Sequence, residues 1–449
     1  MPPVSTYDEA LAYLAQFINY ESQQPVAYQP EHFNVQAFAE FLQTLGAPHQ
    51  AFPSVHIAGS KGKGSTAAML AAILSHAGFR TGFATSPHLV TIRERTQIDR
   101  QPISREAFAA LVGELQAQVD GTPLVAHARR MRTFFELTTA LSFVYFARQK
   151  VDIAVVEVGL GGRLDTTNVL TPQVVVLTPI GLEHTRLLGD TLAAIAGEKA
   201  GIIKPHSCVV SAAQAPEVVE VFERRCQEQE ATLLLAGRDF HWQTTLATCY
   251  GSRLEYDGAG QALHDLTLPL LGRHQVANAA VALTVVQQLQ RQGWAITETQ
   301  MRQGLAHVRW EGRLEVLSRA PWVVLDGAHT VEAATALTQA LTELWPGQRV
   351  HLVLGIATDK NIPAIIATLA PVVHEVTVTR FNSPRAAEPQ RLAEVFQQHG
   401  RTVQVEPDPL VALAQARSQA QFTDVVCVTG SLLLVGEVKA RLQGLAPEF

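Results

Sequence analysis

The feature that most constrains this chain is the alternation of short apolar runs with helical patterns. Runs such as "VDIAVVEVG" (151–159) and "QVVVLTPI" (173–180) are continuously apolar and rich in β-branched residues. That composition is typical of strands buried on both faces of a sheet. Between such runs lie stretches like "STAAMLAAILSHAG", a helical pattern closed by Gly78. The alternation predicts an α/β fold with a mostly parallel sheet.

A segment of different character divides two such units. Residues around 240 to 270 alternate apolar and polar side chains between glycine turns, which predicts a small antiparallel insert followed by a helix. After residue 310, five strand-like runs predict a second, smaller α/β unit: "WVVLDGAH", "VHLVLGI", "EVTVT", "TVQVEP" and "DVVCVTGS". Because 449 residues exceed one ordinary core, we expect two domains, 1–308 and 313–449.

Composition narrows the class of protein. With 47% hydrophobic and 17% charged residues the chain should fold compactly, and a net charge of -6 gives no support to a nucleic-acid partner. The four cysteines lie far apart without a C-x-x-C pair, which argues against zinc or disulfide frameworks and suits a reducing compartment. Neither a secretory signal nor an apolar run approaching 18 residues is visible. We therefore expect a cytoplasmic protein without a membrane span.

The stretch "HIAGSKGKGST" (56–66) resembles a phosphate-binding loop but departs from G-x-x-x-x-G-K-[ST], because Ile57 replaces the first glycine and Gly64 follows the lysine. It still lies between a strand and a helix, where backbone N–H groups and the helix dipole can meet an anion. A glycine-rich turn with an incidental lysine is the alternative. The position favours nucleotide binding, with these loop residues as candidates: Gly59, Ser60, Lys61, Gly62, Lys63, Gly64, Ser65 and Thr66.

Polar residues follow several of the predicted strands. Glu157 and His184 emerge where neighbouring parallel strands end, which is where α/β proteins place ligands. Lys199 lies in an apolar setting, while Asp326 and His329 lie at a strand-to-helix turn in the second unit. Each alone would be explained by a salt bridge, a solvated side chain or a helix cap. Together with a phosphate loop they predict a nucleotide and magnesium site.

The motifs resemble, in order over nearly the whole chain, the folylpolyglutamate synthase and dihydrofolate synthase family of the Mur ligase superfamily. The resemblance is carried by these segments: "HIAGSKGKGST", "TSPHLVTIRERTQID", "TFFELTTALSFVYFA", "VDIAVVEVGLGGRLDTTNV", "IGLEHTRLLGDTLAAIAGEKAGIIKP", "LLGRHQVANAAVAL", "RWEGRLEVL", "LDGAHT", "TDKN", "SPRAAEP" and "TGSLLLVGEV". In this family G-x-x-G-K-G-S is the form of the phosphate loop. The resemblance implies an N-terminal P-loop ATPase domain and a smaller Rossmann-like glutamate ligase domain.

The resemblance also implies an ATP-dependent ligase that joins L-glutamate to a pterin-containing acid through an acyl phosphate. Lys63 would hold the triphosphate, and Lys199 would be carbamylated to ligate a second magnesium ion. His329 would act near the nucleotide. The remaining implied roles are nucleotide contacts by Asn278, Arg313 and Asp326, magnesium ligation by Ser86, Glu157 and His184, and pterin contacts by Thr133, Phe134, Phe135, Glu136, Leu164, Asp165 and Thr166.

Several positions depart from the common family pattern. Thr330 and Val331 stand where Asn and Pro are usual, although threonine can still cap a helix. Thr166 stands where dihydropteroate-using members carry alanine, and Ser60-Lys61 where bacterial members often read Thr-Asn. These departures bear on substrate choice rather than on ATP chemistry.

Four functions remain open besides a bifunctional dihydrofolate synthase and folylpolyglutamate synthase. They are polyglutamylation alone, amide ligation on a non-folate acid, nucleotide binding without turnover, and a small-molecule kinase. Since "GGRLD" resembles the dihydropteroate-using members, the bifunctional enzyme is favoured. We expect small-molecule substrates and a monomer, because one chain supplies the whole site.

Overall fold

The computed structural model describes residues 3–21, 28–30, 32–121, 132–258 and 260–448. Its strands are β1 (Ser54–Ala58), β2 (Thr81–Ala84), β3 (Thr96–Ile98), β4 (Gln101–Pro102), β5 (Ile153–Glu157), β6 (Val174–Leu177), β7 (Cys208–Ser211), β8 (Thr232–Leu235), β9 (Phe240–Thr248), β10 (Gly251–Gly258), β11 (Gln261–Leu268), β12 (Glu315–Arg319), β13 (Trp322–Leu325), β14 (Val350–Leu354), β15 (Glu375–Val378), β16 (Val403–Val405) and β17 (Val425–Thr429).

The α-helices alternate with these strands as the sequence predicts. They are α1 (Tyr7–Leu14), α2 (Val35–Thr44), α3 (Lys63–His76), α4 (Arg105–Gly121), α5 (Phe134–Arg148), α6 (Thr185–Leu188), α7 (Leu192–Ala200), α8 (Pro216–Glu228), α9 (Arg273–Arg291), α10 (Glu298–Ala306), α11 (Val331–Leu344), α12 (Ile362–Leu369), α13 (Pro389–Gln398), α14 (Pro409–Gln419) and α15 (Leu432–Leu442). Short 3-10 helices span Pro48–Gln50, Ile92–Arg95 and Thr166–Val169.

An eight-stranded sheet forms the centre of the N-terminal part, in the order β4-β3-β2-β5-β1-β6-β7-β8. From β2 to β8 neighbouring strands run parallel, whereas β3 and β4 pair antiparallel at one edge. Helices cover both faces: Val155 of β5 packs in the core with α3 and α9, and Val156 packs in the core with α5 on the opposite face. Burial on both faces explains the continuous apolar runs.

The predicted antiparallel insert is a three-stranded sheet in the order β11-β10-β9. Its inward side chains, among them Leu254 and Tyr256, belong to the same core as α3 and α9. The insert therefore extends the helical layer that backs the large sheet.

The C-terminal part forms a six-stranded sheet in the order β12-β13-β17-β14-β15-β16. The five predicted strands are present and parallel, and β12 pairs antiparallel with β13 at the edge. β12 was not predicted, because "EVLSR" is half exposed and lacks an apolar run. The predicted mixed α/β class with two domains is confirmed; the boundary at 308–312 stays a prediction. None of the described helices is both long and apolar enough to cross a membrane.

Candidate active site

Four loops meet at the carboxyl edge of the large sheet. The register places Ile57 of β1 beside Glu157 of β5, Ala84 of β2 beside Val156, and Ala58 beside Leu177 of β6. Because these strands are parallel, the segments that follow them lie side by side. The phosphate loop, the Thr85–Ser86 turn, Glu157 and residues 178–184 are thereby brought to one edge.

The glycine-rich loop is a tight turn that delivers the N-terminus of α3. Gly59 has a φ of 148°, and a Cβ there would lie 1.9 Å from Thr178 Oγ1, so only glycine fits. Gly62, with a φ of 83°, is the N-cap of the 14-residue helix α3. Lys63 opens that helix and its Nζ donates to Gly59 O at 3.1 Å. The amine thus lies over the loop at a helix N-terminus, which attracts anions.

The remaining loop residues divide into anchors and candidate contacts. The amides of Ser60 and Lys61 donate to Pro179 O at 3.0 and 3.1 Å, and Ser60 Oγ donates to Gly181 O at 3.0 Å. These bonds fix the loop against the segment after β6. Thr66 Oγ1, in the first turn of α3, is buried without a hydrogen-bond partner among the described residues. A buried hydroxyl of this kind calls for a partner such as a ligand or water.

Three lysines surround one buried carboxylate. Lys199 Nζ lies 2.8 Å from Gly59 O and 3.1 Å from Glu183 Oε1, and Lys61 Nζ lies 3.5 Å from Glu183 Oε2. Burial alone would raise the pKa of Glu183, but Lys199, Lys63 and Lys61 lower it to about 2. Burial lowers the pKa of Lys199 to about 8, against the opposing effect of Glu183. Positive charge from three lysines is therefore concentrated around Glu183 at this edge.

Glu157 is a buried carboxylate at the tip of β5. Its Oε2 accepts a hydrogen bond from Thr85 Oγ1 and another from Ser86 N at 3.3 Å. Burial raises its pKa, while the nearby charges of Lys63 and Arg313 act in the opposite direction. A buried carboxylate of this kind is stabilised by a cation.

His184 lies beyond β6, next to the lysine cluster. Burial lowers its pKa to about 4, with Lys63 and Lys199 adding to the effect. The ring is therefore neutral near pH 7, as a metal ligand must be. In the part of the chain that the structure describes, no three His, Cys, Asp or Glu side chains form a group that could hold a metal. The predicted ligand set contains only two such residues, Glu157 and His184.

The C-terminal domain brings charged residues to the same place. Asp326 accepts from Leu314 N and Ala328 N, each at 2.9 Å, and burial raises its pKa. Arg313 is half-buried, and the charges of Asp326 and Glu157 oppose the lowering of its pKa by desolvation. His329 Nδ1 donates to Gly327 O at 2.7 Å, and burial lowers its pKa to about 4. The predicted nucleotide residues of the second domain thus face the first.

Two further predictions concern α9 and α11. Asn278 lies under the phosphate loop, because a Cβ at Gly62 would be 2.5 Å from Asn278 Oδ1, and its Nδ2 donates to Gln275 Oε1 at 3.1 Å. Thr330 Oγ1 accepts from Ala333 N at 3.3 Å and caps α11. The capping expected of Thr330 is confirmed.

The predicted pterin residues occupy two segments beside Glu157. Thr133 and Glu136 form a reciprocal capping box at the start of α5, so both side chains serve the helix. The ring of Phe135 lies against Gly159, just after β5. A cavity of about 20 Å³ lies between Phe135, Thr138, Ser86 and Glu157. One predicted substrate residue is therefore adjacent to the buried carboxylate.

The second predicted segment, Leu164 to Thr166, is a turn held from several directions. Asp165 accepts from Leu160 N at 2.8 Å and from Thr167 N at 2.9 Å. Tyr28 OH accepts from Leu164 N at 3.2 Å. The Asp165 carboxylate thus organises its own turn, and its contact with a pterin stays a prediction.

Sequence reasoning missed several residues that the structure places in the site. Glu183 is adjacent to the predicted His184 in "GLEHT", and an acidic neighbour among conspicuous lysines was the available signal. Trp310 packs on Gly64, where a Cβ would lie 2.8 Å from its ring. Thr85 and Tyr28 offered no signal, since their roles depend on contacts distant in sequence.

Comparison with known proteins agrees with this architecture. Residues 57–286 match the Mur ligase middle domain, and residues 312–432 match the Mur ligase glutamate ligase domain. The dihydrofolate synthase/folylpolyglutamate synthase of Bacillus subtilis is 32% identical over 410 residues, spanning 90% of this chain and 94% of that protein. The folylpolyglutamate synthase of Lacticaseibacillus casei is 33% identical, spanning 98% and 99%.

Solved structures extend the likeness to three dimensions. The Mycobacterium tuberculosis folylpolyglutamate synthase complexed with ADP superposes with a TM-score of 0.89 at 33% identity, covering 98% of this chain and all of that one. Escherichia coli FolC in complex with DHPP and ADP superposes with a TM-score of 0.84 at 29% identity, covering 99% of each chain.

Proposed function

Because the chain belongs to the folylpolyglutamate synthase and dihydrofolate synthase family of ATP-dependent ligases, we propose that it adds L-glutamate to dihydropteroate and to reduced folates. The observation that carries this proposal is the juxtaposition, at one sheet edge, of Lys63 over a glycine-rich loop, the buried Glu157 carboxylate and the ring of Phe135 against Gly159. The names of the ADP-bound and DHPP-bound relatives support the same substrates.

The reaction begins with transfer of a phosphoryl group. A carboxylate oxygen of the pterin-containing acid attacks the γ-phosphorus of ATP, the bond to the β-phosphate oxygen breaks, and ADP leaves. Lys63, the N-terminus of α3 and Arg313 supply positive charge for the transferring group, which is a positioning and electrostatic task. The product of this step is an acyl phosphate.

The second step forms the amide. The amine of glutamate attacks the acyl carbon, inorganic phosphate leaves with the C–O bond electrons, and the nitrogen loses a proton. His329 has a neutral ring with Nδ1–H bonded to Gly327 O, so its Nε2 can accept a hydrogen bond from the incoming amine. The departing phosphate is the stronger base and takes up the proton. Because Asp326, Arg313 and His329 come from the second domain, closure of the domains would exclude water from the acyl phosphate.

Magnesium fits the residues of the edge. The buried Glu157 carboxylate is a hard oxygen ligand in need of a cation, and Ser86 and the neutral His184 complete the proposed set. When bound, magnesium would neutralise charge on the phosphates. Lys199, 2% exposed with a pKa of about 8, has the reactive amine that carbamylation by carbon dioxide requires, and the carbamate would hold a second ion.

Subunit and compartment are also part of the proposal. One chain supplies residues from both domains to the site, so a monomer suffices. The four cysteines are free in the structure, including buried Cys226 and Cys427, as befits a reducing cytoplasm. The partners are then small molecules, and neither a nucleic acid nor a membrane is involved.

A second candidate is ligation to a single class of acid. Thr166 lies in the predicted pterin turn and is 9% exposed, so its hydroxyl and methyl groups fill space that alanine would leave. If these groups keep dihydropteroate out of the site, the enzyme would carry out polyglutamylation alone or would act on a non-folate acid.

The first test is phosphate release from Mg-ATP that depends on glutamate, with dihydropteroate and tetrahydrofolate offered separately and products identified by mass. We expect one glutamate added to dihydropteroate and further additions to tetrahydrofolate. Activity with tetrahydrofolate alone would support the narrower candidate. No turnover with either acid would overturn the folate assignment.

Lys63→Ala tests the assignment of Lys63 to the triphosphate in the same assay. Removal of the amine over the phosphate loop should lower kcat/KM by about 100-fold or more, with the fold retained. If the variant keeps most of its activity, the assignment of Lys63 to the triphosphate is wrong.

A further inference from the structure

A buried hydrogen-bond chain connects the strand before the phosphate loop to the predicted pterin turn. His56, in the middle of β1, is fully buried, and its Nε2 lies 2.8 Å from Thr167 Oγ1. Thr167 Oγ1 in turn donates to Asp165 Oδ1, and Thr167 N donates to the same oxygen at 2.9 Å. The chain therefore runs from His56 to the carboxylate that organises the turn.

The direction of the protons follows from the acceptors. Burial raises the pKa of the Asp165 carboxyl, whereas the hydrogen bonds that it accepts from Leu160 N and Thr167 lower it. Asp165 Oδ1 accepts from both Thr167 N and Thr167 Oγ1, so the single proton of the Thr167 hydroxyl is donated to that oxygen. Thr167 Oγ1 must then accept from His56, which places the ring proton on Nε2. Burial, with a contribution from Lys204, lowers the pKa of His56 to about 3, so the ring stays neutral, and the hydrogen bond to Thr167 selects its tautomer.

The other ring nitrogen shows that packing alone does not account for the histidine. His56 Nδ1 is buried without a hydrogen-bond partner among the described residues. An unpaired buried polar atom costs free energy, and an apolar side chain of similar reach would fill the position without that cost. The Nε2 donor is the feature of His56 that an apolar residue lacks.

The far end of the chain reaches the substrate side of the site. Asp165 also accepts from Leu160 N at 2.8 Å, so its carboxylate closes the 160–165 turn. Thr167 lines the cavity that lies between Glu157 and Phe135. At the near end, His56 stands three residues before Gly59, the first residue of the phosphate loop.

We propose that His56 is a positioning residue, which acts through Thr167 and Asp165 to hold the acid-binding turn in register with the phosphate loop. This inference rests on the proposed function, because it assumes that the acid binds at the turn and the cavity. His56 itself touches neither substrate. It sets the place of the acid carboxylate relative to the γ-phosphate.

Paired variants separate the donor from the shape. His56→Met removes the ring N–H donor and Thr167→Val removes the hydroxyl donor, each with a side chain of similar size. His56→Gln and Thr167→Ser retain a donor. We expect the first pair to raise KM for the acid about three- to tenfold, as loss of one hydrogen bond implies. KM for ATP should stay within about twofold in all four, and the second pair should behave like the wild type.

Each variant has a result that would contradict the positioning role of His56. Wild-type KM for the acid in His56→Met, an equal rise in His56→Gln, or a parallel rise of KM for ATP would each overturn the positioning role. An inactive wild type with both acids would instead overturn the proposed function. The two failures are thus distinguishable.

The tautomer gives a readout that does not depend on turnover. In protein labelled with ¹⁵N-histidine, we expect the resonance pair of His56 to be that of a neutral, Nε2-protonated ring that does not titrate between pH 5 and 8. It should disappear in His56→Gln. An Nδ1-protonated ring, or one that titrates, would break the chain and overturn the inference.

Discussion

At the scale of single residues, the buried His56 should make stability sensitive to acid. Its pKa is about 3 in the folded protein, against 6.5 for an unperturbed histidine ring in water. Between pH 6.5 and pH 3 the unfolded chain binds a proton at His56 and the folded chain does not. The free energy of unfolding therefore falls as the pH falls through this range. Relative to His56→Gln, the wild type should lose about 2 kcal/mol more between pH 7 and pH 5.

Urea unfolding of both proteins at the two pH values measures this difference. Other histidines with lowered pKa values, such as His274 and His329 at about 4, contribute equally to both proteins and cancel. Equal acid sensitivity of the wild type and His56→Gln would show that His56 is protonated in the fold or exposed to water.

Residues in and around the candidate site show which features the sequence predicts and which it does not. Glu157 and His184 were predictable because parallel strands deliver their ends to one edge, so a polar residue after a buried run has a known destination. His56 was not, because its partner Thr167 is distant in sequence. For Glu183 the only signal was its place beside His184, and its pairing with Lys199 left none. Hydrogen-bond partners across the fold leave no periodic signal.

At the scale of elements, the glycines at the two ends of α3 have different surroundings. Gly62 and Gly78 flank this helix, with φ values of 83° and 91°. A Cβ at Gly62 would lie 2.5 Å from Asn278 Oδ1, whereas a Cβ at Gly78 meets nothing within 4 Å. Alanine at either position therefore costs about the same backbone strain, but only Gly62→Ala also displaces the loop.

We expect Gly62→Ala to raise KM for ATP at least about tenfold, and Gly78→Ala to leave it near the wild-type value while lowering the melting temperature slightly. Steady-state kinetics with thermal unfolding of both variants separates the two effects. If Gly62→Ala and Gly78→Ala have the same KM for ATP, then the loop tolerates the shift and Asn278 does not fix the position of the loop.

Strands with a strong apolar signal were predictable as elements, and those without it were not. β5 and β6 are fully buried and β-branched, and the predicted runs 151–159 and 173–180 contain both strands, with one to three extra residues at each end. β12 is half exposed and gains its place by pairing with β13 after the chain has folded back. β8 is the edge strand of the large sheet and only its last residue is buried, so it lacks the burial on both faces that marks β5 and β6.

At the scale of the whole molecule, several contacts connect the domains, and two sets of them lie near the junction and near the end of the described chain. Lys439 of α15 is buried and pairs with Glu311 at 2.8 Å and with Glu315, both near the junction. Arg100 Nη2 donates to Arg309 O at 2.6 Å from the N-terminal side. The segment between α10 and β12 is thus held from both domains, which makes the expected boundary at 308–312 a structured connection rather than a loose linker.

The second set comes from the end of the described chain. After α15 the backbone returns to the N-terminal domain, where Glu448 Oε2 accepts from Tyr7 OH and Thr91 Oγ1 at 2.7 Å and from Ile92 N at 2.9 Å. His88 Nε2 bonds to the carbonyl of the same residue. One carboxylate therefore serves three donors, two of them in the segment that follows Ser86, the proposed magnesium ligand.

Glu448→Ala should leave those three donors without their acceptor and destabilise the protein by about 1–3 kcal/mol. Urea unfolding measures the loss, and Glu394→Ala in α13 is the control, expected to change stability by less than about 0.5 kcal/mol. Since Thr91 and Ile92 lie in the segment after Ser86, the variant should also raise the magnesium concentration needed for half-maximal turnover. Identical unfolding of the two variants would mean that water replaces the carboxylate, and that the tail does not hold this segment.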